Sequence, residues 1–335
     1  MGHTDSERTR ACIVSVETVT KHLQVLLRLT EMLTIFLAIA PVFALILMGY
    51  GLRRGGIPST EFWNLNDRLV YWVLMPALFF AKISVADLSG GLGNYAVLLY
   101  AGFFTAIFCG WLFGRRVAAP QASSLLQGSA RFNTFIGLAI AEAVFGTTGL
   151  QIAVLGSALL VPVVNVTVVT LMTRQLGGGG KSILHGLVKN PLILSICAGV
   201  LFNLAGLNAV PVLHEMTRIL GDAALPMMLL CVGANLKLRG LTGSFKIIGL
   251  SMIGKFLINP AAVILAAWVL GPDPLAFQIA LIFAALPTGV ASYTLAREMR
   301  GDASLMAAII TTQTLLSFVT LPLTLLIGQV VLSLN

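Results

Sequence analysis

From Met32 onward the chain alternates long apolar runs with short polar gaps. A helix needs about 20 apolar residues to cross a hydrocarbon core of about 30 Å. Ten runs meet that measure, at about 33–52, 63–83, 94–114, 123–145, 149–172, 191–208, 212–236, 244–270, 275–297 and 303–332. The pattern predicts an all-α polytopic membrane protein with ten transmembrane helices. Residues 1–31 break the pattern with four basic and four acidic side chains, and they lack the apolar core of a signal peptide. They read as an extension, with Met32 a candidate start.

Placing the gaps alternately on two faces sorts the basic residues. One face collects the pairs Arg53–Arg54 and Arg115–Arg116, then Arg174, Lys181, Lys189, Lys237, Arg239, Lys246, Arg297 and Arg300; the other holds little beyond Lys82, Asp87 and Asp273. The basic face is expected to be cytoplasmic, which leaves both termini outside.

The chain also repeats itself. A shift of 150 residues places Pro41 on Pro191, Gly49 on Gly199, Gly56 on Gly206, Arg68 on Arg218, Pro76 on Pro226 and Gly93 on Gly243. A shift of 154 places Pro120 on Pro274 and Thr134 on Thr288. Ordered matches at a near-constant offset indicate a duplication. Five spans per half is an odd number, so the second half inserts upside down, giving two inverted five-helix repeats. The expected units are the extension 1–31, a first repeat over 32–172, a cytoplasmic linker over 173–190 and a second repeat over 191–335.

Composition agrees with a membrane assignment. Of 335 residues, 57% are hydrophobic and 10% charged, against about 25% charged in soluble domains. The mean hydropathy is +0.94. A net charge of +8 raises the question of nucleic acid, but the basic residues lie in short clusters between apolar runs, and no nucleic-acid partner is expected. Cys12, Cys109, Cys197 and Cys231 form no C-x-x-C, and four histidines form no H-E-x-x-H, so no metal or other cofactor is expected. The stretch "GGGGKS" at 177–182 ends like a phosphate-binding loop, yet Gln175 stands where that motif needs its first glycine. It reads as a flexible link between the repeats.

Candidate chemistry lies where spans are interrupted. Span nine, "ALIFAALPTGVASYTLAREM", carries Pro287, Thr288 and Gly289 at its middle. Proline removes an amide donor and glycine relaxes the dihedral restriction, so the helix should unwind there. Half-helix N-termini at such a break attract anions. Span four, "SARFNTFIGLAIAEAVFG", sets Arg131, Asn133 and Thr134 in apolar surroundings. Asn133 is either a ligand-binding amide or glue between helices. Arg131 either faces the cavity or reaches back toward the cytoplasmic side. Asn235 either faces the same cavity or caps the end of span seven. Lys255, near the middle of span eight, either stands in for a bound cation near the crossing or forms a structural pair.

The segments "APVFALILMGYGLRR", "LVYWVLMPALFFAKIS", "FNTFIGLAIAEAVFG" and "ALPTGVASYTLAREMRGDASLMAAIITTQTLLSFVTLPLTLLI" occur in that order over about 300 residues. The chain from Met32 on thereby resembles the auxin efflux carrier family, which includes plant auxin exporters and bacterial malonate and malate permeases. The resemblance implies broken spans four and nine crossing in a transport domain. It also implies a scaffold of spans one, two, six and seven, commonly dimeric, and an elevator-like motion. By motif it places Asn133 and Thr134 on one crossover and Pro287, Thr288 and Gly289 on the other. Span four departs from the family in lacking a proline there, where Phe132 and Ala139 stand.

The expected function is secondary transport of a small organic anion, a mono- or dicarboxylate, through a bacterial inner membrane, by a homodimer that is not an enzyme. No paired Asp/Asp, Ser/His or metal set suggests catalysis. The alternative is a membrane-embedded ligand sensor without turnover.

Overall fold

The computed structural model describes Thr30 and residues 32–86, 92–176, 190–207, 210–237 and 244–334. Regular structure among these residues is entirely helical. The glycine stretch at 177–182 lies outside them, as do the rest of the extension and most of the expected linker.

Helix α1 (Met32–Arg54) is followed by α2 (Thr60–Leu69), which Ser59 caps by accepting from the Phe62 amide. A π-helical turn, Val70–Leu74, joins α2 to α3 (Met75–Ile83). Then come α4 (Leu92–Gly114), α5 (Ala119–Ala130) and α6 (Thr134–Leu176), the last bent at Gly146. Asn190 caps α7 (Pro191–Leu204), and α8 (Pro211–Ala234) follows. Helix α9 (Phe245–Met252) runs through a second π-helical turn, Ile253–Ile258, into α10 (Asn259–Leu270). Helix α11 (Pro274–Ala285) stops before Leu286, α12 (Ala291–Glu298) restarts the chain, and α13 (Ala303–Leu334) ends it.

Both π-helical turns have one cause. Pro76 and Pro260 each lack an amide donor, and a proline ring presses on the carbonyl four residues earlier. Those carbonyls belong to Trp72 and Phe256, inside the two widened turns. The helix widens locally rather than breaking.

Two turns 150 residues apart share one geometry. After α1, Gly56 (φ 76°) donates to the Arg53 carbonyl and Ile57 to that of Leu52. After α7, Gly206 (φ 68°) donates to Asn203 and Leu207 to Phe202. Each is a helix stop in which a left-handed glycine satisfies the last carbonyls.

Among the described residues, six helical stretches are long and apolar enough to cross a membrane: α1, α4, Ala119–Leu176, α8, Phe245–Leu270 and α13. Ala119–Leu176 includes the interruption between α5 and α6. Helices α7 and α11 are apolar but shorter. Large apolar side chains such as Phe245 (87% exposed) and Val269 (85% exposed) point outward, as lipid-facing positions do.

Hydrocarbon solvates leucine as well as a neighbouring helix does, so close backbone approach must hold membrane helices together. At the crossing of α1 and α8 it is reciprocal. A Cβ added to Gly49 would overlap the Leu230 backbone, and one added to Gly233 would overlap the Ile46 backbone. Gly199 of α7 packs on Ile83, and Gly221 of α8 on Leu78, so α3 seats against both helices. The Asn203 amide adds a polar tie, lying 2.8 to 3.1 Å from the carbonyls of Ile83, Ser84 and Ala86. A second body forms from α4, α5, the π-containing α9–α10 unit, α11 and α13.

Gly233→Val should lower stability by about 1–3 kcal/mol or more, since no side-chain movement relieves a clash with backbone. Gly51→Ala, where nothing lies within 4 Å of the new Cβ, should be neutral or slightly stabilising. Thermal unfolding of the two variants in detergent checks the contrast.

Candidate functional site

Helix α5 ends where Arg131 turns extended (φ −70°, ψ 150°), its amide making the last helical bond to Gln127. Three residues later α6 begins. Asn133 is its cap: Oδ1 lies 3.1 Å from the Phe135 amide and 3.3 Å from that of Ile136, and its carbonyl accepts from Gly137. Helix α11 ends before Pro287, because the residue preceding a proline is pushed out of the helical region. Leu286 is extended accordingly (φ −64°, ψ 142°). No proline is needed in span four, since the Asn133 cap starts the second half-helix.

The two interruptions meet. The Asn133 amide donates to the Pro287 carbonyl at 2.8 Å. Gly289 lies so close to the Phe132 carbonyl that a Cβ there would sit 2.8 Å from its oxygen. The Phe132 ring meets Phe283 edge-on, with centroids 5.4 Å apart.

Gln313 of α13 completes the junction, and sequence reasoning missed it. Its Oε1 accepts from the Thr288 amide (2.9 Å) and the Thr288 hydroxyl (2.7 Å). Its Nε2 donates to the Gly128 carbonyl (2.9 Å) and lies 3.3 Å from Ser251 Oγ. One buried amide thus serves a backbone donor freed in one break and a backbone acceptor near the end of α5. The available signal was an isolated glutamine inside an apolar span, "IITTQTLL".

Beside the junction lies a cavity of about 1030 Å³. Of the residues singled out by sequence, Arg131, Asn133, Thr134, Gly289 and Asn235 line it, while Pro287, Thr288 and Lys255 do not. The Thr288 hydroxyl is engaged by Gln313, and Pro287 acts through its carbonyl. Lys255 is fully buried in the second π-helical turn, with no hydrogen-bond partner for Nζ among the described residues.

Asn133 is 2% exposed, and its Nδ2 has no partner among the described residues. The cap fixes Oδ1, which leaves both amide protons available beside the cavity. Arg131 contributes a cation to the same wall. The α2 helix, the π-helical turn after it and the end of α8 also line the cavity, with Asp67, Tyr71, Trp72 and Asn235. The Asn235 amide is shared between the Cys231 carbonyl (2.9 Å) and Asp67 Oδ2 (2.8 Å), so it both caps α8 and lines the cavity. Asn165 and Thr173 of α6, with Thr294 of α12, add polar groups that the sequence did not single out.

Comparison with known proteins now bears on this geometry. The model of a family described as membrane transport protein matches the chain twice, over residues 34–182 and 178–325. An uncharacterized transporter of Methanothermobacter thermautotrophicus is 28% identical over 291 residues, covering 84% of this chain and 94% of that relative. A Rhizobium meliloti protein provisionally named a malonate transporter is 29% identical over 304 residues, covering 84% of this chain and 92% of its own. An all-helical chain with two meeting half-helix junctions, matched along most of its length, belongs to the auxin efflux carrier family of membrane transport proteins.

Proposed function

We propose that the protein carries a small organic anion, a mono- or dicarboxylate, across the bacterial inner membrane, and that the cavity beside Asn133 is its binding site. The observation that carries this reading is the buried side-chain Nδ2 of Asn133 at the start of α6, which has no hydrogen-bond partner among the described residues. Donors in a water-poor site bind a carboxylate strongly, because hydrogen bonds to charged groups are the stronger kind. Thr134, the α12 N-terminus next to Gly289, and Arg131 add to the same attraction. The relative named for malonate supports a carboxylate substrate.

In this reading the chain has ten spans in two inverted repeats, over 32–172 and 191–335, joined by a cytoplasmic linker. The paired turns at Gly56 and Gly206 and the twofold family match support the duplication. Helix α6 continues to Leu176, so the linker proper begins after it. The basic residues among the cavity lining, Arg68 and the exposed Arg300, support a cytoplasmic position for that part of the cavity. Both termini then lie outside.

The body that carries the junction moves as a unit against a scaffold of α1–α3, α7 and α8, in an elevator-like exchange, and the scaffold pairs in a homodimer. Gln313 makes that unit rigid by joining both broken helices to α13. Lys255 supplies within it the positive charge that a bound cation would otherwise bring.

Uptake of labelled malonate and a panel of mono- and dicarboxylates into proteoliposomes tests the proposal. Saturable flux is expected; tight binding without flux would favour a sensor instead. Asn133→Asp keeps the capping oxygen and removes the donors. It should retain fold and expression and lose uptake by about tenfold to a hundredfold, the worth of a hydrogen bond to a charged group. Wild-type flux in that variant refutes the site. Gln313→Leu should reduce both thermal stability and flux, by about 1–3 kcal/mol in stability for each buried group left unpaired. Lys255→Met should abolish flux without loss of stability, since removing an unpaired buried charge is neutral or favourable; undiminished transport would sink the compensating role.

A further inference from the structure

The cavity proposed to take an anion has a carboxylate in its wall. Asp67 of α2 lines it together with Asn133 and Arg131, and is half-buried. The Asn235 amide holds Asp67 Oδ2 at 2.8 Å, which fixes the carboxylate in place. Among the described residues no lysine or arginine lies within ion-pair distance of it; the pairs present there are those of Arg218 with Glu215 and Asp222.

The other titratable and charged groups around Asp67 are few. Arg53 of α1 and Cys231 of α8 face it, and Arg68 and Tyr71 follow it in its own segment. Arg131 lines the same cavity. Glu298 and Arg300, at the end of α12, also line the cavity but are exposed, so water screens them. Lys237, near the end of α8, is engaged over the Tyr293 ring at 4.1 Å.

A fixed carboxylate facing a bound carboxylate repels it, and the repulsion is strong where little water screens it. A proton on Asp67 removes the repulsion and turns the group into a donor aimed at the cavity. We propose that Asp67 makes anion binding at this site proton-linked. The anion binds the form in which Asp67 carries a proton taken from solution on the cavity side, and that proton returns to solution when the anion leaves. By linkage, bound anion raises the proton affinity of Asp67 by the same factor. Asp67 sits on the α2–α8 wall rather than at the junction, so the linkage sets when the site fills from the cavity mouth.

This inference rests on reading the cavity as an anion site, and the experiment separates the two. Malonate binding is measured by calorimetry between pH 5 and pH 8, on the full chain in nanodiscs. Wild type, Asp67→Asn, Asp67→Glu and Glu298→Gln are compared. Malonate's own protonation is common to all four, so only differences between them count. Asparagine is isosteric and can still accept from Asn235. Wild-type affinity should fall with rising pH more steeply than that of Asp67→Asn, by up to about tenfold per pH unit for one linked proton. At pH 8 Asp67→Asn should bind more tightly than wild type. Asp67→Glu and Glu298→Gln should keep the wild-type steepness. If Asp67→Asn follows the wild-type profile, or if Glu298→Gln removes the steepness, the role of Asp67 is overturned while the anion site stands. If wild type binds no acid of the panel at any pH, the anion site falls and this inference falls with it.

Discussion

The bond between the Asn133 amide and the Pro287 carbonyl is the point on which the remainder of the molecule turns. Interrupting two helices inside an apolar body frees backbone donors and acceptors that lipid cannot satisfy. Each such group left unpaired costs several kcal/mol, so broken helices survive only where the protein supplies partners. Here the breaks satisfy each other, and Gln313 takes up the Thr288 amide and the Gly128 carbonyl. Remove that pairing and neither break is tolerable; keep it, and a polar point persists beside the cavity.

The two halves of the structure are held by different physics. The body containing the junction is cross-linked by buried amides and hydroxyls among α5, α9, α13 and the stretch between α11 and α12. The wall of α1, α3, α7 and α8 relies on glycines that let backbones touch, as at Gly49 and Gly233. A polar network resists internal change because every member has a specific partner. The cavity lies between these two bodies, and its lining draws on both: Arg131 and Asn133 from one, Asp67 and Asn235 from the other. A transporter that moves one body past the other needs that division.

Asn133 shows how far residue type and position carried the reading. A lone asparagine before an apolar helix identified a special position, but not that its oxygen would cap α6 and leave only its amide protons free. Thr288 drew attention by the same reasoning as Thr134, yet its hydroxyl turns toward Gln313 while Thr134 lines the cavity. Lys255 was conspicuous as a charge in an apolar run, but the run gave no direction for the side chain. Gln313 and Asp67 went unremarked because neither lies at a break in periodicity. Their partners are 25 and 168 residues away in the chain, and nothing local records such pairings.

By itself the sequence determined that the chain is helical and rich in membrane-length apolar runs, and that Pro287 interrupts one of them. These follow from hydrophobic run length and from the missing amide of proline, both of which are local along the chain. Only the tertiary structure decided which polar groups remain free. That depends on what each atom meets after packing: Thr288 lost its hydroxyl to Gln313, Asn133 kept its side-chain Nδ2 free, and Asp67 came to line the same cavity through a placement that no spacing in the sequence encodes.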